Sequence, residues 1–314
     1  MKPEILVMAA SPSPSVMEQL DRHFTCHHVW QAEDAAAFIG GVADRVRGVA
    51  STGIIGISAE LAARLPKLEI VAVNGIGVDA VAFDALRPRG IRVTNTPGVL
   101  TDDVADLAVT LLLATTRRIP ALDRYVRSGD WERKAPLAPA RSLRGKSAGI
   151  YGYGRIGRAI AQRLQAFGVA SRYYQPRVLT DTDTPRAASL RELAEQSDYL
   201  FICAPGGAAT RGVVDAEVLA ALGPQGTLIN IARGTVVDEA ALIEALSKGV
   251  LGAAGLDVFE HEPHVPEALA ALPNAVLTPH VGSLTTETRH AMGQLVVDNL
   301  LAHFSGAPLL TPVP

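Results

Sequence analysis

Ser147-Ala148-Gly149-Ile150-Tyr151-Gly152-Tyr153-Gly154-Arg155-Ile156-Gly157-Arg158-Ala159-Ile160-Ala161 decides how this chain is read. It opens as a short apolar run, the pattern of a buried strand. Gly152, Gly154 and Gly157 follow in G-x-G-x-x-G spacing. Ile156, Ile160, Leu164 and Phe167 then recur at three- and four-residue steps, the period of a helix with one apolar face. A dinucleotide site needs this order. Gly152 permits the tight turn, and Gly154 lets backbone approach a pyrophosphate. Gly157 lets helix pack close to strand, and the helix N-terminus turns free N–H groups toward the phosphates. The bland alternative is a glycine-rich turn in an ordinary α/β domain; the flanking strand and helix favour the cofactor site.

Composition bounds the rest. At 314 residues the chain is long enough for two domains with separate cores. A charged fraction of 19% and an apolar fraction of 48% fit a globular soluble protein, and a net charge of -3 gives no reason to expect nucleic acid or an anionic membrane surface as partner. Cys26 and Cys203 lie far apart in apolar runs, which reads as two free thiols in a reducing cytoplasm. The N-terminal apolar run is too short for a signal peptide, and no stretch is long and apolar enough to span a bilayer.

Outward from the glycine loop, short β-branched runs alternate with helical patterns, the signature of parallel sheets covered by helices. Ahead of it, strands are expected at Ile5–Ala9, His28–Trp30, Arg47–Ser51, Glu69–Val73 and Ile91–Thr94, with Ser15 and Asp34 as helix caps. A long helix is expected from Thr101 or Asp102 to about Arg118. Behind the loop, strands are expected at Ala170–Tyr174, Tyr199–Ala204, Thr227–Ala232, Leu251–Leu256 and Val276–Thr278. Asp238 should cap a helix to Leu246, and a last helix should run from Thr286 to Phe304 and return to the first domain. Crossings near Pro97–Leu100 and Ser283–Thr285 divide the chain into 1–99 with 284–314, and 100–283, and should act as a hinge.

Ligands of open α/β sheets bind beyond the carboxyl ends of the strands. Asn74-Gly75-Ile76-Gly77-Val78-Asp79 follows one such end. Gly75 and Gly77 there are either a plain tight turn or a cradle of N–H groups for a small carboxylate. Arg233, Glu262 and His280 each follow a strand pattern, so all three can converge. Hydride transfer to a carbonyl leaves negative charge on oxygen, and histidine is matched to protonating it near neutral pH. A neighbouring carboxylate favours the imidazolium, and an arginine holds a substrate carboxylate bidentately. Singly, each of the three is more often structural. His261-Glu262-Pro263-His264 does not read as a metal site, because the spacing is wrong for a zinc motif and Pro263 breaks the helix it needs.

The residue closing the second strand of the cofactor unit chooses the cofactor. An acid there would bind the ribose hydroxyls of NAD. Here it is Gln175, with Arg177 two residues on and Arg172 as a second candidate pointing away by alternation. The neutral side chain and the nearby guanidinium predict NADP, with NAD possible.

Asn74-Gly75-Ile76-Gly77-Val78-Asp79, Gly152-Tyr153-Gly154-Arg155-Ile156-Gly157, Asn230-Ile231-Ala232-Arg233-Gly234, Asp257-Val258-Phe259-Glu260-His261-Glu262-Pro263 and Thr278-Pro279-His280-Val281-Gly282 together resemble the motifs of the D-isomer-specific 2-hydroxyacid dehydrogenases, in the family's order and over nearly the whole chain. Within that family the sequence is most similar to glyoxylate/hydroxypyruvate reductases. The resemblance implies two doubly wound parallel-sheet α/β domains, a Rossmann cofactor domain inserted into a flavodoxin-like substrate domain, with catalysis in the cleft. It implies His280 as acid/base, Glu262 as its partner and Arg233 as substrate anchor. It places the substrate carboxylate on Gly75, Ile76 and Gly77. Asp257 would meet the nicotinamide amide and Thr101 the ring. Arg155, Ile156, Ala204, Pro205, Thr210, Ile231, Ala232 and Gly282 complete the cofactor set. It implies a homodimer in which Trp131 reaches the partner's substrate; the alternative for Trp131 is core packing. Gln175 departs from the acid that many members carry, and Pro205-Gly206-Gly207 from their commoner Pro-Leu-Thr.

The expected activity is therefore reduction of a small 2-keto acid to the D-2-hydroxy acid. A D-3-phosphoglycerate dehydrogenase would in many cases add a regulatory domain beyond Pro314, and a cofactor-sensing corepressor of this fold would add interaction segments. A formate dehydrogenase would carry Gln at Pro279.

Overall fold

The computed structural model describes residues 2–314. The chain divides into two compact units, one made of Met1–Leu100 with Ser283–Pro314 and the other of Thr101–Gly282. Each is a parallel sheet with helices on both faces, the doubly wound architecture read from the sequence.

The first unit contains β1 (Glu4–Val7), α1 (Pro14–His23), β2 (Thr25–His28), α2 (Ala35–Gly40), β3 (Val46–Thr52), α3 (Ala59–Arg64), β4 (Ile70–Asn74), α4 (Phe83–Leu86) and β5 (Arg92–Thr94). Its strands are ordered β2-β1-β3-β4-β5, all parallel. β4 alternates its residues between two buried faces: Val71 and Val73 join the core under α2 and α3, while Ile70 and Ala72 join the core under α1. A strand buried on both sides has no polar face, which is why Ile70-Val71-Ala72-Val73 reads as continuous apolar sequence.

The second unit contains α5 (Thr101–Thr116), α6 (Ile119–Arg127), β6 (Ser147–Tyr151), α7 (Arg155–Ala166), β7 (Ala170–Tyr174), α8 (Leu190–Glu195), β8 (Tyr199–Ile202), α9 (Ala216–Leu222), β9 (Thr227–Asn230), α10 (Glu239–Ser247), β10 (Ala253–Leu256), α11 (Glu267–Ala270) and β11 (Ala275–Leu277). The order is β11-β10-β9-β8-β6-β7, again all parallel. Beyond β7 a single parallel bridge joins Tyr173 to Arg186, so the outermost strand position of a Rossmann sheet is present only as that bridge. α5 lies directly on β10. A Cβ on Gly255 would come 3.1 Å from both Leu111 Cβ and Thr115 Oγ1. α12 (Thr286–Ser305) completes the first unit, burying Met292, Val296 and Leu300.

Several local expectations need correction. The first helix starts two residues earlier than a Ser15 cap allows: Ser13 is the cap residue and Pro14, with its fixed φ and missing N–H, opens the helix. The second strand is Thr25–His28, and Val29–Gln31 forms a 3-10 turn instead of continuing it. Phe167 falls just past α7 and is exposed, so the apolar stripe ends at Leu164. Asp34 and Asp238 do cap their helices, accepting from Ala37 N and Ala241 N at 3.0 Å each.

Candidate active site

The glycine turn has three different jobs for three glycines. Gly152 has φ of 94°, and a Cβ there would lie 2.6 Å from the Ala204 nitrogen, so only glycine lets the loop pass the end of β8. A Cβ on Gly157 would meet the Gly152 carbonyl oxygen at 2.4 Å. Gly154 is different: a Cβ there would touch nothing within 4 Å. Its lack of a side chain leaves open space in front of the N-terminus of α7, the place where a pyrophosphate would be received. Thr101 Oγ1, at the start of α5, is buried without a hydrogen-bond partner. These features fit a dinucleotide.

At the end of β7, Gln175 Oε1 accepts a hydrogen bond from Tyr153 N at 2.9 Å, tying the glycine turn to this strand end. Arg177 is exposed and makes no hydrogen bond or ion pair among the described residues. Arg172 is held by the Gln196 side chain. Two further arginines stand here that the sequence reading passed over. Arg186 donates to the Gln175 carbonyl at 3.1 Å and lies over the Tyr174 ring. Arg158 pairs with Asp181 at 2.7 Å and lies over the Tyr153 ring. Ala204, Ile231 and Ala232 are buried at their strand ends, Arg155 opens α7 exposed, and Ile156 is half-buried behind it. Thr210 turns its hydroxyl back onto the Pro205 carbonyl at 2.7 Å, closing that loop on itself.

The catalytic candidates lie at the carboxyl edge of the six-stranded sheet. His280 Nδ1 is 2.7 Å from Glu262 Oε2. The other carboxylate oxygen accepts from Phe259 N at 3.1 Å, which fixes the plane of the carboxylate. Burial pushes the Glu262 carboxyl up. The hydrogen bond and charge of His280, the Phe259 N–H and the charge of Arg233 outweigh it and hold the group below the usual carboxylate range. Arg233 is half-buried and donates to the Ala232 carbonyl at 2.6 Å. Its loop is locked by Asn230, whose side chain donates to the Arg233 carbonyl at 3.0 Å and accepts from Ala232 N at 3.1 Å. Gly234 follows with no room for any side chain, since a Cβ would lie 1.9 Å from the Phe259 carbonyl carbon. That close approach draws the loop bearing Arg233 against the loop bearing Glu262.

Asp257 has a role that its place in a motif did not reveal. It is 1% exposed. Its Oδ1 accepts from the Thr278 hydroxyl at 2.7 Å and Val281 N at 2.9 Å, and its Oδ2 accepts from Gly282 N at 2.9 Å. The Asp257 carbonyl also accepts from His280 N at 2.8 Å. One aspartate thus clamps the whole turn in which His280 adopts a left-handed φ of 54°, a conformation costly for a residue with a side chain. Burial raises the carboxyl of Asp257, against the three donors and the charge of His280.

In the first unit, the Asn74–Asp79 loop needs one correction. The Gly75 N–H is not free for a ligand: it donates to Thr96 Oγ1 at 3.0 Å, and Thr96 N returns a bond to the Gly75 carbonyl at 3.0 Å. Asn95 Nδ2 secures the Ile76 carbonyl at 2.9 Å. This leaves the N–H groups of Ile76 and Gly77, which make no hydrogen bond among the described residues. Trp131, in the second unit, is 69% exposed, so it does not pack in a core. The cavity of about 580 Å³ in that unit lies at the amino edge of the sheet, lined by Thr115, Arg118, Arg124, Arg141 and Asn274, away from His280. No helix among the described residues is long and apolar enough to cross a membrane.

The chain is similar to known proteins over nearly its whole length. Residues 109–282 match the model of the D-isomer specific 2-hydroxyacid dehydrogenase NAD binding domain. The chain is 46% identical over 308 residues to glyoxylate/hydroxypyruvate reductase A of Arabidopsis thaliana, covering 98% of each. It is 47% identical over 308 residues to hydroxyphenylpyruvate reductase of Plectranthus scutellarioides, again covering 98% of each. Among solved structures, the NADPH-dependent glyoxylate/hydroxypyruvate reductase of Sinorhizobium meliloti, in complex with NADP and malonate, is 45% identical. It superposes with a TM-score of 0.93 over 100% of this chain and 97% of that one.

Proposed function

This chain belongs to the D-isomer specific 2-hydroxyacid dehydrogenase family, and from that premise we propose that its substrates are glyoxylate and hydroxypyruvate, with NADPH preferred over NADH. The reaction is the NAD(P)H-dependent reduction of a 2-keto acid. The observation that carries the reading is the 2.7 Å contact between His280 Nδ1 and Glu262. It leaves Nε2 as the proton donor and places a carboxylate where it stabilises the imidazolium. When bound, the dihydronicotinamide supplies a hydride to the keto carbon. His280 Nε2 gives its proton to the carbonyl oxygen, so C=O becomes CH–OH, and the imidazole is left neutral. Arg233 holds the substrate carboxylate and polarises the carbonyl. In the first unit, the free N–H groups of Ile76 and Gly77 are suited to a small carboxylate.

NADPH preference is supported by the charges around β7. No acid ends the strand, and the Arg177 guanidinium is uncommitted. A charge-assisted contact with a 2′-phosphate contributes about 1.5–3 kcal/mol, or roughly 10–100-fold in binding. The assay is kcat/KM for glyoxylate, hydroxypyruvate and 4-hydroxyphenylpyruvate with each cofactor, repeated with Arg177→Ala. Better turnover with NADH, or an Arg177→Ala variant with the wild-type NADPH constant, refutes the cofactor account. Preference for the aromatic acid refutes the substrate assignment.

The same reading makes the protein a cytoplasmic homodimer. Ile119, Val126, Trp131 and Leu137 are all more than half exposed within one short segment, a run of apolar surface suited to a second copy. Both cysteines are free thiols, in keeping with a reducing compartment. A monomer by sedimentation at micromolar concentration would overturn the dimer.

A further inference from the structure

Arg289 is the fourth residue of α12. It is half-buried, its Nε is enclosed without a hydrogen-bond partner, and its side chain makes no ion pair among the described residues. Burial depresses its pKa, and no anion counters the effect. A structural arginine normally spends its donors on carbonyls. Arg89 of the same unit does so, bonding the carbonyls of Ala62, Leu65 and Pro66. Arg289 instead keeps a half-buried cation, its Nε enclosed, without a counter-charge, which disfavours folding and needs another reason to persist.

Its place in the fold supplies that reason. α12 runs antiparallel to β4. At its far end His303 Nε2 lies 3.1 Å from Glu69 Oε2, just before the strand begins. At its near end the Thr288 hydroxyl bonds the Val99 carbonyl at 3.4 Å. The first turn of α12 therefore stands at the carboxyl end of β4, the end that continues into Gly75-Ile76-Gly77. Asn74, the last residue of that strand, has its Oδ1 buried without a partner as well. The free N–H groups of Ile76 and Gly77 belong to the same edge of the same sheet. Those N–H groups can orient a carboxylate but carry no net charge, and a planar guanidinium supplies both charge and a second pair of donors.

We propose that Arg289 is a further substrate-binding residue, holding the anionic carboxylate of the 2-keto acid beside the Ile76 and Gly77 N–H groups. The assignment rests on the keto-acid reading of the reaction. It also separates function from stability. Arg289→Met removes an uncompensated, half-buried charge at nearly unchanged volume. Its unliganded Tm should equal or exceed that of the wild type, while its KM for glyoxylate rises at least tenfold and by more than kcat falls. Oxalate, a non-reducible dicarboxylate probe, should raise the Tm of the wild type and not that of Arg289→Met. Arg289→Lys, which keeps charge but loses the fork, should fall between them. Millimolar guanidinium should restore part of the glyoxylate affinity to Arg289→Ala. A lowered Tm with kcat and KM lost together, or an unchanged KM and oxalate response, overturns the assignment. If the wild type reduces no 2-keto acid, the reading of the reaction fails and the oxalate response alone decides Arg289. Its loss in Arg289→Met upholds the site; its persistence, or its absence from the wild type, overturns it.

Discussion

Asp257→Asn tests whether the buried aspartate holds the catalytic turn. The substitution keeps the shape and removes one acceptor. In the wild type two donors, the Thr278 hydroxyl and Val281 N, share Oδ1, and Gly282 N uses Oδ2. An asparagine that keeps its oxygen on the first pair must turn its NH2 toward the Gly282 N–H, donor against donor. Flipping the amide leaves two donors stranded instead of one. An N–H left unsatisfied in a buried place costs about 1–3 kcal/mol. Relief of the buried charge offsets part of this, since burial is the largest influence on the Asp257 carboxyl. A net loss of about 2 kcal/mol lowers Tm by about 4–8 °C for a domain of this size. The catalytic effect is separate. The left-handed His280 is over-determined by this clamp, and a displacement near 1 Å of a catalytic group costs on the order of 100-fold in rate. The expected variant is thus less stable and 10–100-fold lower in kcat, with KM for NADPH close to wild type. Differential scanning calorimetry and steady-state kinetics measure both. A raised KM for NADPH with Tm and kcat intact would show that Asp257 serves the cofactor and not the turn, and the reasoning would be refuted.

Three further outcomes follow from the same geometry. Glu262→Gln keeps the shape but removes the charge beside His280 Nδ1, so kcat for keto-acid reduction should fall by about tenfold or more while KM for NADPH stays near wild type; an unchanged kcat removes Glu262 from the mechanism. Gly154→Ala should keep its stability within about 1 kcal/mol of wild type yet bind NADPH poorly, whereas Gly157→Ala, whose Cβ would meet the Gly152 carbonyl at 2.4 Å, should cost about 2 kcal/mol or more before any ligand is added; equal Tm values contradict the division of labour. Asp198 joins the starts of β6 and β8, accepting from Lys146 Nζ and Ser147 N at 2.9 Å each; burial pushes its carboxyl up, but Lys146 and Ser147 prevail and hold it below the usual range. A depressed carboxyl adds stability above its unfolded pKa and loses it as pH falls through the folded one, so Asp198→Asn should lose about 1 kcal/mol at pH 7 and converge on the wild type below about pH 4; a deficit constant with pH would count against the pairing.

Local chemistry was legible in the sequence wherever a single element decides it. β7 runs Ala170–Tyr174 as its pattern indicates, and Asp34 and Asp238 cap helices because a cap needs only its own next turn. The readings that failed depended on what lies opposite. The Gly75 N–H is an open donor in sequence and a satisfied one in the fold, because Thr96, twenty-one residues on, turns its hydroxyl toward it. Val29-Trp30 has strand composition, yet only Thr25–His28 finds β1 beside it, and the chain then tightens into a 3-10 turn. The bridge at Arg186 had no signal, since Asp183-Thr184-Pro185-Arg186 lacks the apolar run that marks a strand. Asp257 was visible as a strand-end acid, but its three donors come from a segment more than twenty residues later.

The neutral residue at the end of β7 does more than avoid repulsion. Gln175 accepts the Tyr153 N–H within the glycine turn, so this position must offer an acceptor even when no cofactor is near. Glutamate would satisfy that N–H equally well and would add a charge facing any 2′-phosphate. Leucine would remove the charge and strand the N–H. Glutamine meets both demands: it positions the glycine turn and, on the proposed reading, leaves room for a 2′-phosphate. The arginines around it divide along the same line. Arg158 is engaged by Asp181 and Arg186 by the Gln175 carbonyl, each lying over a tyrosine ring. Arg177 alone of the three has no partner among the described residues, and a guanidinium held in water until a phosphate arrives keeps its full charge for that contact.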